Sequence, residues 1–261
     1  MTKQTNIIIQ SSNNGISRIK LNEPETYNAL SLNTLKLLIN GFKSFNDDEK
    51  TKVIIIEGCG KGFSAGHNLK EINSLKGKPE YKKLFSLCSD LMLCIINNKK
   101  PVIAKVHGAA FAAGCQLVAT CDLALSTNDA IFATPGVNIG LFCSTPMVAV
   151  SRNVTRKKTM KMLLTGDPIS AKYAKEIGLI NDHFENSLLE EEVMKLAETI
   201  ALKSSKILKI GKEAFYKQLE MPLSEAYRYT SEVMSKNMMT LDAKEGISAF
   251  LEKRSPKWKN K

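Results

Sequence analysis

Two Gly/Ala-rich turns hold the residues of this chain best suited to chemistry. The first reads Phe63-Ser64-Ala65-Gly66-His67-Asn68-Leu69 and follows an apolar run and a turn with Gly58, Gly60 and Gly62. The second, residues 108–116, follows a second apolar run and leads into a helical pattern that begins with Ala112, Ala113, Gly114 and Gln116. Small residues let the backbone come close to a ligand, and the first N–H groups of a helix have no intrahelical acceptor. Peptide dipoles at such a terminus favour negative charge. Two donors of this kind aimed at one point form an oxyanion hole for an acyl carbonyl. Removing one donor from such a hole costs on the order of 100- to 1000-fold in rate.

Other reactive side chains are scattered. The six cysteines (Cys59, Cys88, Cys94, Cys115, Cys121, Cys143) include no CxxC pair, and several sit in apolar runs where free Cys acts as a small hydrophobe. No metal site is expected from this spacing. Cys143, beside Ser144 and Thr145, could line a pocket, and its thiol would be a nucleophile only with a depressed pKa. The His67 imidazole has a pKa suited to proton transfer. His107 and His183 read as structural or exposed, and Asp122 as a buried structural carboxylate.

The elements that must position these turns alternate in the first half. Ile16–Leu21 alternates apolar and polar residues, as a half-buried strand does. Residues 53–56, 102–106 and 123–126 are short apolar runs that read as buried strands. Helical patterns lie between them at 32–45, 81–97 and 112–120. This order predicts an α/β arrangement with mostly parallel pairing. From about Thr155 onward helical periodicity dominates, at 157–164, 171–177, 188–202, 206–218, 223–238 and 243–253. Breaks fall at Gly166-Asp167-Pro168 and Met221-Pro222. A Met-rich stripe (Met234, Met238, Met239) reads as packing or a subunit contact.

Composition bounds the partners. An apolar fraction of 43% is enough for a full core, and no run approaches the roughly 18 apolar residues of a membrane span. The first twenty residues carry polar–isoleucine alternation rather than a signal core or an Arg-rich amphipathic stretch, so a cytoplasmic location without membrane attachment is expected. Net charge is +11, concentrated at residues 152–161 and 253–261 without interleaved aromatics, which argues against nucleic acid. Solvated helix faces or a phosphate-bearing ligand account for it.

The whole chain resembles the crotonase, or enoyl-CoA hydratase/isomerase, superfamily. The resemblance rests on Asn22-Glu23-Pro24 with Asn28-Ala29-Leu30, on the 63–69 turn, and on Lys100-Pro101-Val102-Ile103-Ala104 leading to Gly108 and Ala113-Gly114-Cys115-Gln116. It continues through Cys121-Asp122, Leu164-Thr165-Gly166-Asp167-Pro168, Gly178-Leu179 and Glu245-Gly246-Ile247-Ser248-Ala249-Phe250. A run from Pro135-Gly136-Val137-Asn138 to Pro146 marks a subgroup within it.

Membership implies an α/β fold, the crotonase (ClpP-like) spiral of ββα units, with a C-terminal helical region that drives trimerisation. Residues 1–200 would form the spiral core and 201–261 the oligomerisation region, giving a homotrimer or dimer of trimers. The ligand would be an acyl-CoA thioester, as substrate or bound partner, with no separate cofactor. By position the oxyanion donors are the N–H groups of His67 and Ala113. Ala65, Gly66, His67, Asn68, Leu69, Ala112, Ala113, Gly114, Pro135, Gly140 and Cys143 would line the ligand site. Phe250 and Lys253 would reach the CoA of a neighbouring subunit. The helix at 81–97 and the loop before it would set pocket depth.

Two departures limit the chemistry. Related hydratases use two glutamates, which fall here at Gln116 and Gly136. Gln116 can position a water but cannot take its proton, and Gly136 offers no side chain. Each acid–base group typically supplies about 100- to 10,000-fold, so weak hydratase activity is expected. A CoA-thioester decarboxylase or hydrolase, or a non-catalytic acyl-CoA-binding protein, are the alternatives. A third departure is Glu25, where relatives often carry a Lys near the CoA phosphates.

Overall fold

The computed structural model describes residues 6–10 and 14–260. The polar–isoleucine reading of the N-terminus falls partly on 1–5 and 11–13, and the end of the basic tail on 261, all outside the described residues. A six-stranded sheet forms the centre, in the order β1 (Ile7–Gln10), β2 (Ile16–Leu21), β3 (Val53–Gly58), β4 (Val102–Val106), β6 (Leu123–Thr127) and β9 (Asp182–Phe184). Only β1 runs antiparallel to its neighbour; the rest of the sheet is parallel. A smaller sheet joins β5 (Ala109–Phe111), β7 (Ile131–Ala133) and β8 (Ile169–Ser170).

Both faces of the main sheet are covered, which is why β3 is apolar without alternation. Ile54 and Ile56 point to one face, into a cluster with α1 (Leu32–Asp47) and α3 (Lys78–Ile96) through Leu38, Phe42, Leu91 and Ile95. Val53 and Ile55 point to the other, against Leu189, Val193 and Ala197 of α8 (Leu189–Ala201). Period-2 side-chain geometry in the strand and the 3.6 repeat of each helix meet at these two layers.

The remaining helices are α2 (Leu69–Ser74), α4 (Ala113–Thr120), α5 (Pro146–Asn153), α6 (Arg156–Thr165), α7 (Ala171–Glu176), α9 (Ser205–Gln218), α10 (Leu223–Met238) and α11 (Leu241–Leu251). The α/β expectation holds, with corrections. The second half is not wholly helical, since β8 and β9 interrupt it. Ala112 is the cap of α4 rather than its first residue. Helices α2 and α5 fall outside the segments where helical periodicity is expected. Among the described residues no helix is long and apolar enough to cross a membrane, and no group of three or more His, Cys, Asp or Glu is placed to hold a metal.

Candidate functional site

The turn at 63–69 is stitched into the fold one N–H at a time. Ser64 N–H donates to the Ala109 carbonyl at 3.1 Å, and Ala65 N–H to the Tyr27 carbonyl at 2.9 Å. Gly66 N–H donates to Ser64 Oγ at 3.2 Å. The next donor, His67 N–H, has no acceptor among the described residues. The buried Asn28 side chain holds the preceding loop by donating to the carbonyls of Cys59 and Gly62 at 2.8 and 2.9 Å. Ser64 Oγ donates to the Asn28 carbonyl at 2.9 Å. That network gives the Asn28-Ala29-Leu30 run a physical reason.

The second turn reaches the same place from the other side. Phe111 N–H donates to the Ser64 carbonyl, and Ala112 N–H to the Ala133 carbonyl, both at 2.9 Å. Ala112 then turns to φ +47° and ψ −114°, a conformation L-residues rarely adopt, and α4 begins. Ala113 N–H is its first helical donor and has no acceptor among the described residues.

Small residues bring the two turns together beside these donors. A Cβ on Gly66 (φ +88°) would lie 3.0 Å from Ala113 N and 2.8 Å from the Phe111 carbonyl oxygen. A Cβ on Gly114 would lie 2.3 Å from the Ser64 carbonyl oxygen. Only glycine permits either approach. Unsatisfied N–H groups at a buried helix start make a site for negative charge.

Side chains of α3 reach both His67 and α4. The His67 ring lies edge-on to Phe85 of α3, with centroids 5.5 Å apart at 77°. One turn along α3, the Cys88 thiol donates to Oε1 of the buried Gln116 at 3.9 Å. Gln116 stands one turn into α4 from Ala113. Burial pushes the Cys88 thiol up to about 12, so it is no thiolate at neutral pH. Phe85 and Cys88 carry no functional signal of their own in the sequence, although the 81–97 helix is expected to set pocket depth and their three-residue spacing puts them on one face.

Gly136 sits in a 3₁₀ turn, Pro135–Ile139, ended by Gly140 at φ +77°. The following loop folds back over it, with Leu141 N–H donating to the Gly136 carbonyl at 2.9 Å. A Cβ on Gly136 would meet the Leu141 carbonyl oxygen at 2.6 Å and Cys143 Sγ at 3.0 Å. Burial raises the Cys143 thiol, against a smaller opposing effect of the Gly136 N–H. The thiol therefore lacks the activation a nucleophile needs.

The other predicted residues differ in exposure. Ala65 and Leu69 are exposed, and Asn68 caps α2 by accepting from Glu71 N–H at 3.1 Å. Pro135 is half-buried. Phe250 is 83% exposed on α11, and Lys253 is exposed just beyond it. His107 is a partner of the Gly60 carbonyl and His183 of Asn128. Asp122 is tied to α9 through Lys212.

The family model described as enoyl-CoA hydratase/isomerase matches residues 11–261. The chain belongs to that family. It is 47% identical over 244 residues to "Enoyl-CoA hydratase domain-containing protein 3, mitochondrial" of Rattus norvegicus, covering 94% of this chain and 81% of that protein. The Pro135-to-Pro146 run points to the same group. The human crystal structure of that name superposes with a TM-score of 0.94 at 45% identity, covering 97% and 100% of the two chains. An enoyl-CoA hydratase from Mycobacterium smegmatis gives 0.96 at 44%, covering 98% and 99%. This family member thus has the α/β crotonase fold with two sheets and C-terminal helices.

Proposed function

We propose that this protein binds acyl-CoA thioesters and polarises their carbonyl between the N–H groups of His67 and Ala113, with little hydratase activity. The observation that carries this reading is the pair of unsatisfied donors, brought together where Gly66 abuts Ala113 N. Hydration also needs a base for water and an acid for the α-carbon. At the two positions where relatives resemble one another in using glutamate stand Gln116 and Gly136. The space a side chain would need at Gly136 is occupied by Leu141 and Cys143.

An oxyanion hole still supports reactions that require only charge stabilisation at the thioester oxygen, such as carboxyl loss or hydrolysis. The buried, raised thiols of Cys88 and Cys143 leave no activated sulfur nucleophile among the side chains around the hole. Acyl-CoA is then substrate or ligand, and no further cofactor is invoked.

A panel of acyl-CoA thioesters, crotonyl-, malonyl- and methylmalonyl-CoA included, followed by mass spectrometry tests this reading. Binding is expected, with crotonyl-CoA hydration at least about 100-fold below a two-glutamate relative. Hydration at the relative's rate would overturn the weak-hydratase reading. Polarisation is measured with a conjugated cinnamoyl thioester, whose absorption moves red as its carbonyl is polarised. Ala113→Pro removes one donor at a position where proline is compatible with a helix start. A folded Ala113→Pro protein with the full red shift would sink the donor assignment.

A further inference from the structure

His67 lends its backbone to the proposed oxyanion hole, and nothing above uses its ring. Nδ1 lies 3.3 Å from the Leu30 carbonyl oxygen. A carbonyl oxygen only accepts, so Nδ1 carries the hydrogen and the neutral ring keeps a lone pair at Nε2. Burial holds the imidazole below its ordinary pKa, against a smaller opposing effect of the Leu30 carbonyl, which keeps the ring neutral at pH 7. Nε2 is buried and has no hydrogen-bond partner among the described residues. Buried acceptors are normally satisfied, and each exception calls for an explanation.

The surroundings supply one. His67, Phe85, Cys88 and Gln116 are linked by the ring contact, the spacing on α3 and the thiol–amide contact. They stand beside the residue whose backbone N–H is one of the two free donors.

We infer that His67 Nε2 is a specificity determinant that selects thioesters whose acyl group carries a hydroxyl or other hydrogen-bond donor. The inference rests on the thioester-binding reading above. The ligand's O–H donates to Nε2 while its carbonyl accepts from the His67 and Ala113 N–H groups, and no proton is transferred. The half-buried Phe85 ring gives way as the acyl group enters. An unsubstituted chain leaves Nε2 unpaired, and an acyl carboxylate sets acceptor against acceptor. Both bind more weakly.

Calorimetry with butyryl-CoA, its 2-, 3- and 4-hydroxy derivatives and succinyl-CoA tests this directly. At least one hydroxybutyryl-CoA is expected to bind about tenfold or more tighter than butyryl-CoA. That ratio falls to about one in His67→Phe and is partly kept in His67→Gln, which retains an acceptor. Nitrogen-15 spectra of the wild-type protein, which has three histidines, decide the matter without a variant. One Nε2 is unprotonated and shifts with the preferred hydroxybutyryl-CoA but not with butyryl-CoA. Equal affinity for all the butyryl esters, or a ratio unchanged in folded His67→Phe, overturns the inference and leaves thioester binding standing. Failure to bind any CoA ester overturns both.

Discussion

Gly136 shows how a single missing carbon constrains the chemistry. Its absent Cβ would lie 2.6 Å from the Leu141 carbonyl oxygen, a backbone atom that cannot rotate away. The loop has therefore closed on the position a glutamate would need, and restoring the side chain does not restore the site. Gly136→Glu is expected to lower stability by about 1–3 kcal/mol through overpacking without raising crotonyl-CoA hydration. Urea denaturation and a hydration assay measure the two effects. An unchanged unfolding midpoint would show that the loop opens freely and sink the argument. The sequence exposed the vacancy, because the residue aligned with a carboxylate position is glycine. It did not expose the obstruction, which comes from Leu141 and Cys143 folding back through a 3₁₀ turn. The His67–Phe85 and Cys88–Gln116 contacts were hidden for the same reason. Periodicity gives the face of a helix but not which side chain of another element meets it.

Helix α9 is fastened to the core around the Asp122 carboxylate. Lys212 Nζ donates to Asp122 Oδ2 at 2.6 Å and to the carbonyls of Ile95 and Lys100 at 3.0 Å each. Four residues on, the Tyr216 hydroxyl donates to Asp122 Oδ1 at 2.9 Å. Val102 N–H, at the start of β4, donates to Oδ2 at 2.7 Å. Burial above all, with Asp122 adding to it, raises the Tyr216 phenol and keeps it a donor. Both charged side chains are largely shielded, 8% and 16% exposed, so removing one partner strands the other. Asp122→Ala is expected to cost about 3–5 kcal/mol. Asp122→Ala with Lys212→Met should recover part of that loss in a double-mutant cycle. A cost for Asp122→Ala below about 1 kcal/mol, the level of an exposed pair, would mean the fastening is unimportant. The long elements were legible because their periods are strong, as in α10, whose bounds the pattern matches. The strands β5, β7, β8 and β9 have two or three residues each. Too short to show alternation, they are specified by their neighbours: Ala110 of β5 pairs with Phe132 of β7, Phe132 with Ile169 of β8, and Ser126 of β6 with His183 of β9.

The C-terminal helices leave an apolar surface that one chain does not cover. In α9 the one buried residue is Ala214, in α10 Ala226, and in α11 Asp242 and Ala249. Leu223, Tyr227, Met239, Phe250 and Leu251 are each at least 69% exposed. Large exposed apolar patches mark interaction sites, and amphipathic helices gain most of their stability from burying their apolar face. We propose a second copy of the chain as the occupant, in a trimer or dimer of trimers, with residues 201–261 as the assembling region. The net charge of +11 works against self-association, so apolar contact must outweigh it. Sedimentation at micromolar concentration is expected to give three or six chains. Phe250→Asp should shift the protein toward monomer and weaken acyl-CoA binding together, because Phe250 and Lys253 are proposed to reach a neighbour's ligand. Raising the salt screens the repulsion and should strengthen wild-type assembly. A wild-type protein that sediments as a monomer and binds acyl-CoA at full affinity would show that the site is complete within one chain.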